Sequence, residues 1–292
     1  MAVHGRQVGD LFLMRALEMV MSFDPLVFFP ETTAADWAPH ESWLKPRAMD
    51  PESGALLFPV QSYLVRTRHH TILIDACVGN HKERPNRPLW HQKTDDAYLQ
   101  ALAALEVTPA DIDYVMCTHL HADHVGWNTR LEGGRWVPTF PNARYVFTRR
   151  ELAAWQGGHP KFSRAPLEDS VLPVIAARQA ELVTNDFALD DQVWLEPTPG
   201  HTPDHVAICL ASRGQRAVLS GDLMHSPIQC LLPEWTAWPD WDPALAKQTR
   251  RAFLERYCGT DTLICTAHFP LPSAGRIVAE GDGFRFVFDD AW

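Results

Sequence analysis

The segment Cys117-Thr118-His119-Leu120-His121-Ala122-Asp123-His124-Val125-Gly126 constrains this chain more than any other. It follows an apolar run, Tyr114 to Cys117, that reads as a strand, so its ionisable side chains belong to a loop at a strand end. His119 and His121 are separated by one residue and project together only where the backbone is extended or turning. Asp123 and His124 follow closely, and adjacent residues do not share a helical face. Such a loop can aim two imidazoles at one point and an Asp–His pair at a second point nearby. Two neighbouring metal ions require that arrangement.

Imidazole nitrogens and carboxylate oxygens suit Zn²⁺, Fe²⁺ or Mn²⁺. A catalytic ion keeps a position open for water, so about three or four protein ligands per ion are expected. One loop cannot supply enough for two ions. Further candidates stand at or near the ends of predicted strands: His201 within Thr198-Pro199-Gly200-His201-Thr202-Pro203, Asp222 after Leu219-Ser220-Gly221, and His268 after Leu263 to Ala267.

The rest of the chain reads as one β-rich domain, residues 1–292, with helices interspersed and no composition shift that marks a linker. Strands are expected at 57–66, 71–76, 114–117, 143–148, 193–196, 205–211, 216–220 and 262–266, with a strand pair over 275–288. Helical spacing covers 96–106, 149–155, 166–180 and 243–257. Thr108-Pro109-Ala110-Asp111 opens a further short helix. Residues 80–96 form a long polar loop around Leu89-Trp90-His91. Two stretches of similar make-up, ~57–155 and ~193–268, suggest two sheets stacked face to face with helices outside.

Composition narrows the partners. With 26 Lys+Arg against 36 Asp+Glu the formal net charge is −10, and no basic run is longer than two residues, which argues against a nucleic-acid partner. The six cysteines show no CxxC pair, so neither a disulfide framework nor a zinc ribbon is expected. The N-terminal apolar pieces are interrupted by Arg15, Glu18 and Asp24, unlike a signal peptide. No run approaches a membrane span, and the expected compartment is the cytoplasm.

The motif His119-x-His121-x-Asp123-His124 resembles that of the metallo-β-lactamase-fold hydrolases. The resemblance extends to the strand ending at Asp75, the TPGHT stretch at His201, the Gly221-Asp222 turn and His268, over roughly residues 57–270. It implies an α/β fold, a four-layer αβ/βα sandwich of two mixed sheets with outer helices. It implies two divalent ions, zinc first and iron or manganese as alternatives. His119, His121 and His201 would hold one ion, Asp123, His124 and His268 the other, and Asp222 would bridge them. No cysteine occupies a ligand position, so the chain looks most like the lactonase and organophosphate-hydrolase branch. Where acyl-homoserine-lactone lactonases often carry a tyrosine after the bridging Asp, this chain has Met224-His225-Ser226. Similar proteins are commonly homodimers.

The implied reaction is attack by a hydroxide, formed because the ions lower the water pKa from about 15.7 towards neutrality, on a small ester-like substrate, a lactone foremost. Aryl esters and phosphotriesters come next. Asp123 is the candidate to orient the nucleophile and pass a proton, and His225 to donate to the oxyanion. Asp75 and His205 are read as residues that order the ligands, and Trp90, His91 and Trp127 as substrate contacts. A glyoxalase II-type thioesterase, whose basic residues would be Lys247, Arg250, Arg251 and Arg256, and a non-catalytic metal-binding protein are the competing readings. Asp240 and Asp242 look like a helix N-cap region, and Trp235, Trp238 and Trp241 have the spacing of one helical face.

Overall fold

The computed structural model describes residues 5–292, which divide into two compact units. The first comprises the described residues up to Met19 together with Val60–Phe187; the second comprises Val20–Pro59 and Ala188–Trp292.

The first unit carries β1 (Arg6–Val8), most of β2 (Leu11–Phe23) and of β3 (Leu56–Arg66), β4 (Thr71–Ile74), β5 (Tyr114–Met116), β6 (Thr129–Glu132), β7 (Arg135–Pro138), β8 (Arg144–Thr148) and β9 (Ala180–Val183). Seven of these form a mixed sheet in the order β1-β2-β3-β4-β5-β8-β9, while β6 and β7 pair as a hairpin. β4, β5, β8 and β9 run parallel, and the helices Ala97–Ala104 and Arg149–Gly157 provide two of the crossovers such neighbours need. The middle strands are short apolar runs (Thr-Ile-Leu-Ile in β4, Tyr-Val-Met in β5), as expected for strands covered on both faces. Leu73, Val115 and Tyr145 are wholly buried there.

The second unit carries β10 (Val193–Pro197), β11 (Val206–Ser212), β12 (Gln215–Leu219), β13 (Leu263–Cys265), β14 (Ala274–Glu280) and β15 (Gly283–Phe288), paired in that order. Only β12 and β13 are parallel, and the helix Pro243–Tyr257 crosses between them. Asp242 caps that helix by accepting the Leu245 amide at 3.0 Å, and Pro243 fits its first turn. Phe253 and Leu254 from the helix pack with Val218, Ile264, Ile277 and Phe286 from the strands.

Several expectations need revision. Residues 166–180 are helical only as far as 176: a π-helical turn, Leu167–Val171, continues into the helix Leu172–Ala176, and the chain then extends into β9. Pro173 has no N–H for the Asp169 carbonyl one turn back, and that carbonyl accepts Lys82 Nζ and Thr129 Oγ1 instead. Thr108–Asp111 makes only a 3₁₀ turn, Pro109–Asp111. Residues 235–241 are not helical, so Trp235, Trp238 and Trp241 do not share a helical face; Trp235 packs on Trp37, with ring centroids 4.9 Å apart. All six cysteines are free thiols. Among the described residues no helix is long and apolar enough to cross a membrane.

Candidate metal centre

In the first unit, β4 and β5 run side by side and deliver Asp75 and Thr118–His124 at their carboxyl ends, where parallel sheets place ligand sites. Asp75 sits in the left-handed region (φ 58°), a conformation that Asp tolerates better than most side chains. Its carboxylate accepts the Thr118 amide at 2.8 Å through Oδ1 and the Thr118 hydroxyl at 2.9 Å through Oδ2. Oδ2 also lies 2.8 Å from His124 Nδ1. A carboxylate can only accept, so His124 carries its proton on Nδ1 and presents the lone pair of Nε2.

The same logic reaches His119. The Thr118 hydroxyl spends its proton on Asp75, so it accepts from His119 Nδ1 at 3.0 Å and leaves His119 Nε2 unprotonated. His121 Nδ1 lies 3.0 Å from that Nε2. His121 ends the extended stretch and caps the single turn Ala122–Val125, which carries Asp123 and His124. Asp123 Oδ2 lies 3.9 Å from His124 Nε2. Ligands bonded to one zinc at about 2.1 Å can lie up to about 4.2 Å apart, so both pairs fit a shared ion.

The motif glycine is a packing requirement. A Cβ on Gly126 would stand 1.8 Å from the Val78 carbonyl oxygen, so only glycine lets the end of the motif lie against the segment after Asp75. The Gly126 and Trp127 amides donate to the carbonyls of Cys77 and Ala76 at 2.8 and 2.6 Å.

In the second unit, His201, Asp222 and His268 come together. His201 Nε2 lies 3.3 Å from Asp222 Oδ2, and His268 Nε2 lies 3.0 Å from Asp222 Oδ1. One carboxylate thus offers a different oxygen to each imidazole, the disposition of a bridging ligand. Both Nδ1 atoms are engaged elsewhere: His201 with Asp240 Oδ1 at 2.9 Å, and His268 with the Pro59 carbonyl at 2.8 Å. Either acceptor takes a hydrogen bond from Nδ1, which leaves Nε2 as the atom turned towards Asp222. His205 accepts the Asp222 amide at 3.0 Å through Nε2, and its Nδ1 donates to Thr198 at 2.8 Å. Its side chain therefore holds the Asp222 backbone.

His225 Nε2 also approaches Asp222 Oδ2, at 3.2 Å. The ring is buried between Phe28 and Phe58, with centroids 5.2 and 6.1 Å away. Burial pushes its pKa below the ordinary histidine value, against the opposing pull of Asp222.

The aromatic residues of the first unit have structural surroundings. Trp127 is 3% exposed, stacks on Tyr98 at 5.4 Å, and donates its indole N–H to Glu18 at 2.7 Å. Trp90 is buried, while exposed His91 accepts the Arg84 amide at 3.1 Å through Nδ1. The 80–96 segment has no regular structure yet is firmly anchored: Lys93 bonds Glu18 at 2.9 Å, and Arg84 makes a two-pronged bond to Asp169 at 2.7 and 3.0 Å.

The basic residues of Pro243–Tyr257 do not form a gripping face. Lys247, Arg251 and Arg256 pair with Glu31, Glu234 and Glu196, and Arg250 is fully buried. Asp240 is no cap either; it is buried against His201. Sequence reasoning missed Glu18, Thr118, Asp240 and Arg250 as organisers of this region.

A family model, the metallo-beta-lactamase superfamily, matches residues 55–268, a span that includes Asp75 and every ligand candidate. The chain belongs to that superfamily. Among curated relatives it is 25% identical over 169 residues to the uncharacterized protein YobT of Bacillus subtilis (strain 168), covering 57% of this chain and 62% of that protein. It is 25% identical over 174 residues to an N-acyl homoserine lactonase of Bacillus cereus, covering 56% and 63%. The chain thus spans less than two thirds of the length of these relatives. Among solved structures, the dizinc quorum-quenching lactonase AidC aligns with TM-score 0.80 at 20% identity, over 98% of this chain and 97% of that one. The hydrolase AbOPH of the beta lactamase superfamily aligns with TM-score 0.81 at 23% identity, over 98% of both chains. These likenesses establish the mixed α/β fold of the superfamily.

Proposed function

We propose that this protein is a dinuclear metal-dependent hydrolase that opens a small lactone. The observation that carries this reading is the Asp222 carboxylate, which turns one oxygen to His201 Nε2 at 3.3 Å and the other to His268 Nε2 at 3.0 Å. His124, His201 and His268 each engage Nδ1 with a carboxylate or carbonyl. Outer contacts of that kind fix the ring direction of metal-bound imidazoles. In this proposal His119, His121 and His201 hold one ion, Asp123, His124 and His268 hold the second, and Asp222 serves both. Bound divalent ions would supply Lewis acidity and a water of much lowered pKa.

The chain's own groups have distinct roles in the proposal. Asp123 accepts the proton of the attacking water and passes it to the leaving oxygen. Full turnover with both metals retained in Asp123→Asn would exclude that role. His225, whose pKa burial lowers, donates a hydrogen bond where negative charge develops. An unchanged kcat/KM in His225→Ala would return it to the wall around Asp222.

The lactone assignment draws support from relatives named N-acyl homoserine lactonases. The pairing of Lys247, Arg251 and Arg256 with glutamates leaves little for an anionic thioester to grip, which lowers the glyoxalase II-type reading. The deciding experiment is elemental analysis of the pure protein together with a panel of lactones, aryl esters, thioesters and phosphotriesters. Two equivalents of transition metal and preferred lactone turnover are expected. Triester turnover without lactone turnover would move the substrate class; full metal loading without any turnover would favour a non-catalytic binding protein.

A further inference from the structure

The helix Pro243–Tyr257 turns one face towards the ligand segments of its own unit. Ala246, Thr249 and Arg250 lie three and four residues apart along it, the spacing of one helical stripe. The Ala246 backbone is so close to Gly200 that a Cβ on that glycine (φ 131°) would stand 2.4 Å from the Ala246 nitrogen. Thr249 donates its hydroxyl to the Pro199 carbonyl at 2.6 Å. Two contacts therefore clamp the turn that ends in His201.

Arg250 extends this control. Its guanidinium is completely buried and donates to the carbonyls of Leu223 at 2.9 Å, Pro233 at 2.7 Å and Trp235 at 2.8 Å. Leu223 directly follows Asp222. Arg250 Nη2 also lies 3.5 Å from Asp240 Oδ2, and the other oxygen of that carboxylate takes the His201 Nδ1 proton. A buried guanidinium persists only with a compensating charge and satisfied donors, and Asp240 supplies the charge.

We propose that Asp240 and Arg250 are positioning residues that act as one device: Asp240 fixes the tautomer and ring direction of His201, while Arg250 fixes Asp240 and the backbone beside Asp222. One helix thereby sets the relative placement of two metal ligands. This inference rests on the proposed metal-binding reading. It makes the pair a determinant of zinc affinity, separable from folding.

The test is stepwise zinc titration of metal-free protein against a chromophoric chelator, with Co²⁺ absorption as a second readout and melting of the metal-free protein as the control. Asp240→Asn is nearly isosteric but lets the acceptor at His201 turn into a donor. It is expected to weaken one of two zinc steps by about 10- to 100-fold and to alter the Co²⁺ bands. Arg250→Lys keeps the charge but cannot reach three carbonyls and Asp240 together; a smaller loss at the same step is expected. Unaltered zinc steps and Co²⁺ bands in a folded Asp240→Asn protein overturn the inference. If that variant does not fold, an unaltered titration in Arg250→Lys overturns it equally. Wild-type protein that takes up no zinc or Co²⁺ instead overturns the metal-binding reading itself.

Discussion

Asp75 Oδ2 meets His124 Nδ1 at 2.8 Å, while the same carboxylate holds both the amide and the hydroxyl of Thr118. One acidic side chain thus sets the proton position on His124 directly and on His119 through Thr118. Asp75→Asn keeps the left-handed backbone that Asn also tolerates but removes the charge and one acceptor. The expected result is metal affinity reduced by about 10- to 100-fold, measured by chelator competition. Affinity equal to wild type would show that the imidazoles are oriented by other contacts.

Glu18 joins three segments of the first unit: it accepts the Val78 amide at 2.8 Å and the Trp127 indole at 2.7 Å, and it pairs with the Lys93 ammonium at 2.9 Å. Both partners of the ion pair are almost completely buried. Removing the carboxylate leaves Lys93 with Asp95 at 2.9 Å and Asn80 at 3.0 Å but takes the acceptor from the buried Val78 amide and Trp127 indole, which costs about 2–4 kcal/mol. Urea unfolding of Glu18→Ala should show a loss of that size, with Glu18→Gln intermediate because it keeps an acceptor for Val78 or Trp127. A loss below about 1 kcal/mol would contradict this account.

Gly126 and Gly157 give a contrast at two positions of similar backbone freedom. Gly126→Ala drives a Cβ into the Val78 carbonyl, backbone that cannot swing aside, so a loss beyond about 3 kcal/mol or failure to fold is expected. Gly157 ends the helix Arg149–Gly157 with nothing near its Cβ position, and Gly157→Ala should be neutral or stabilising by about 0.4–1 kcal/mol. Thermal melts of the two variants provide the check, and comparable losses would refute the packing argument.

The sequence was most readable where chemistry or periodicity is local. The ligand motif stands in ten consecutive residues, and the helix Pro243–Tyr257 announces itself through Asp242-Pro243 and its apolar spacing. The hairpin of β6 and β7 carries a local signal in Gly133-Gly134, a dipeptide that suits a tight turn. Long-range partners left no such mark. Asp240 lies 39 positions from His201, and nothing local distinguishes it from the genuine cap Asp242. Arg250 sits among basic residues that do face solvent, and only its position on the helix selects it for burial. Glu18 lies within a 13-residue, largely apolar strand, and a lone acid there reveals neither its burial nor its partners.

Lys82 offers a pH-dependent test away from the proposed ligands. Its ammonium is wholly buried over the Trp136 ring at 3.6 Å and donates to Thr129 at 2.7 Å and to the Asp169 carbonyl at 3.1 Å. Burial pushes its pKa down to about 7, against the attraction of Asp169 and with added repulsion from Arg84. Unfolding returns the group to its ordinary 10.5. Between those values the unfolded chain holds a proton that the native protein has released, so this residue makes stability rise with pH through the window and fall as pH drops towards 7. One released proton corresponds to a slope of about 1.4 kcal/mol per pH unit. Lys82→Met removes the titrating group while preserving most of the apolar stem. Urea unfolding at pH 7.5 and 9.5 should therefore show a smaller gain with pH in Lys82→Met than in wild type. Parallel pH dependences would mean that Asp169 and the surrounding donors and acceptors keep Lys82 charged throughout.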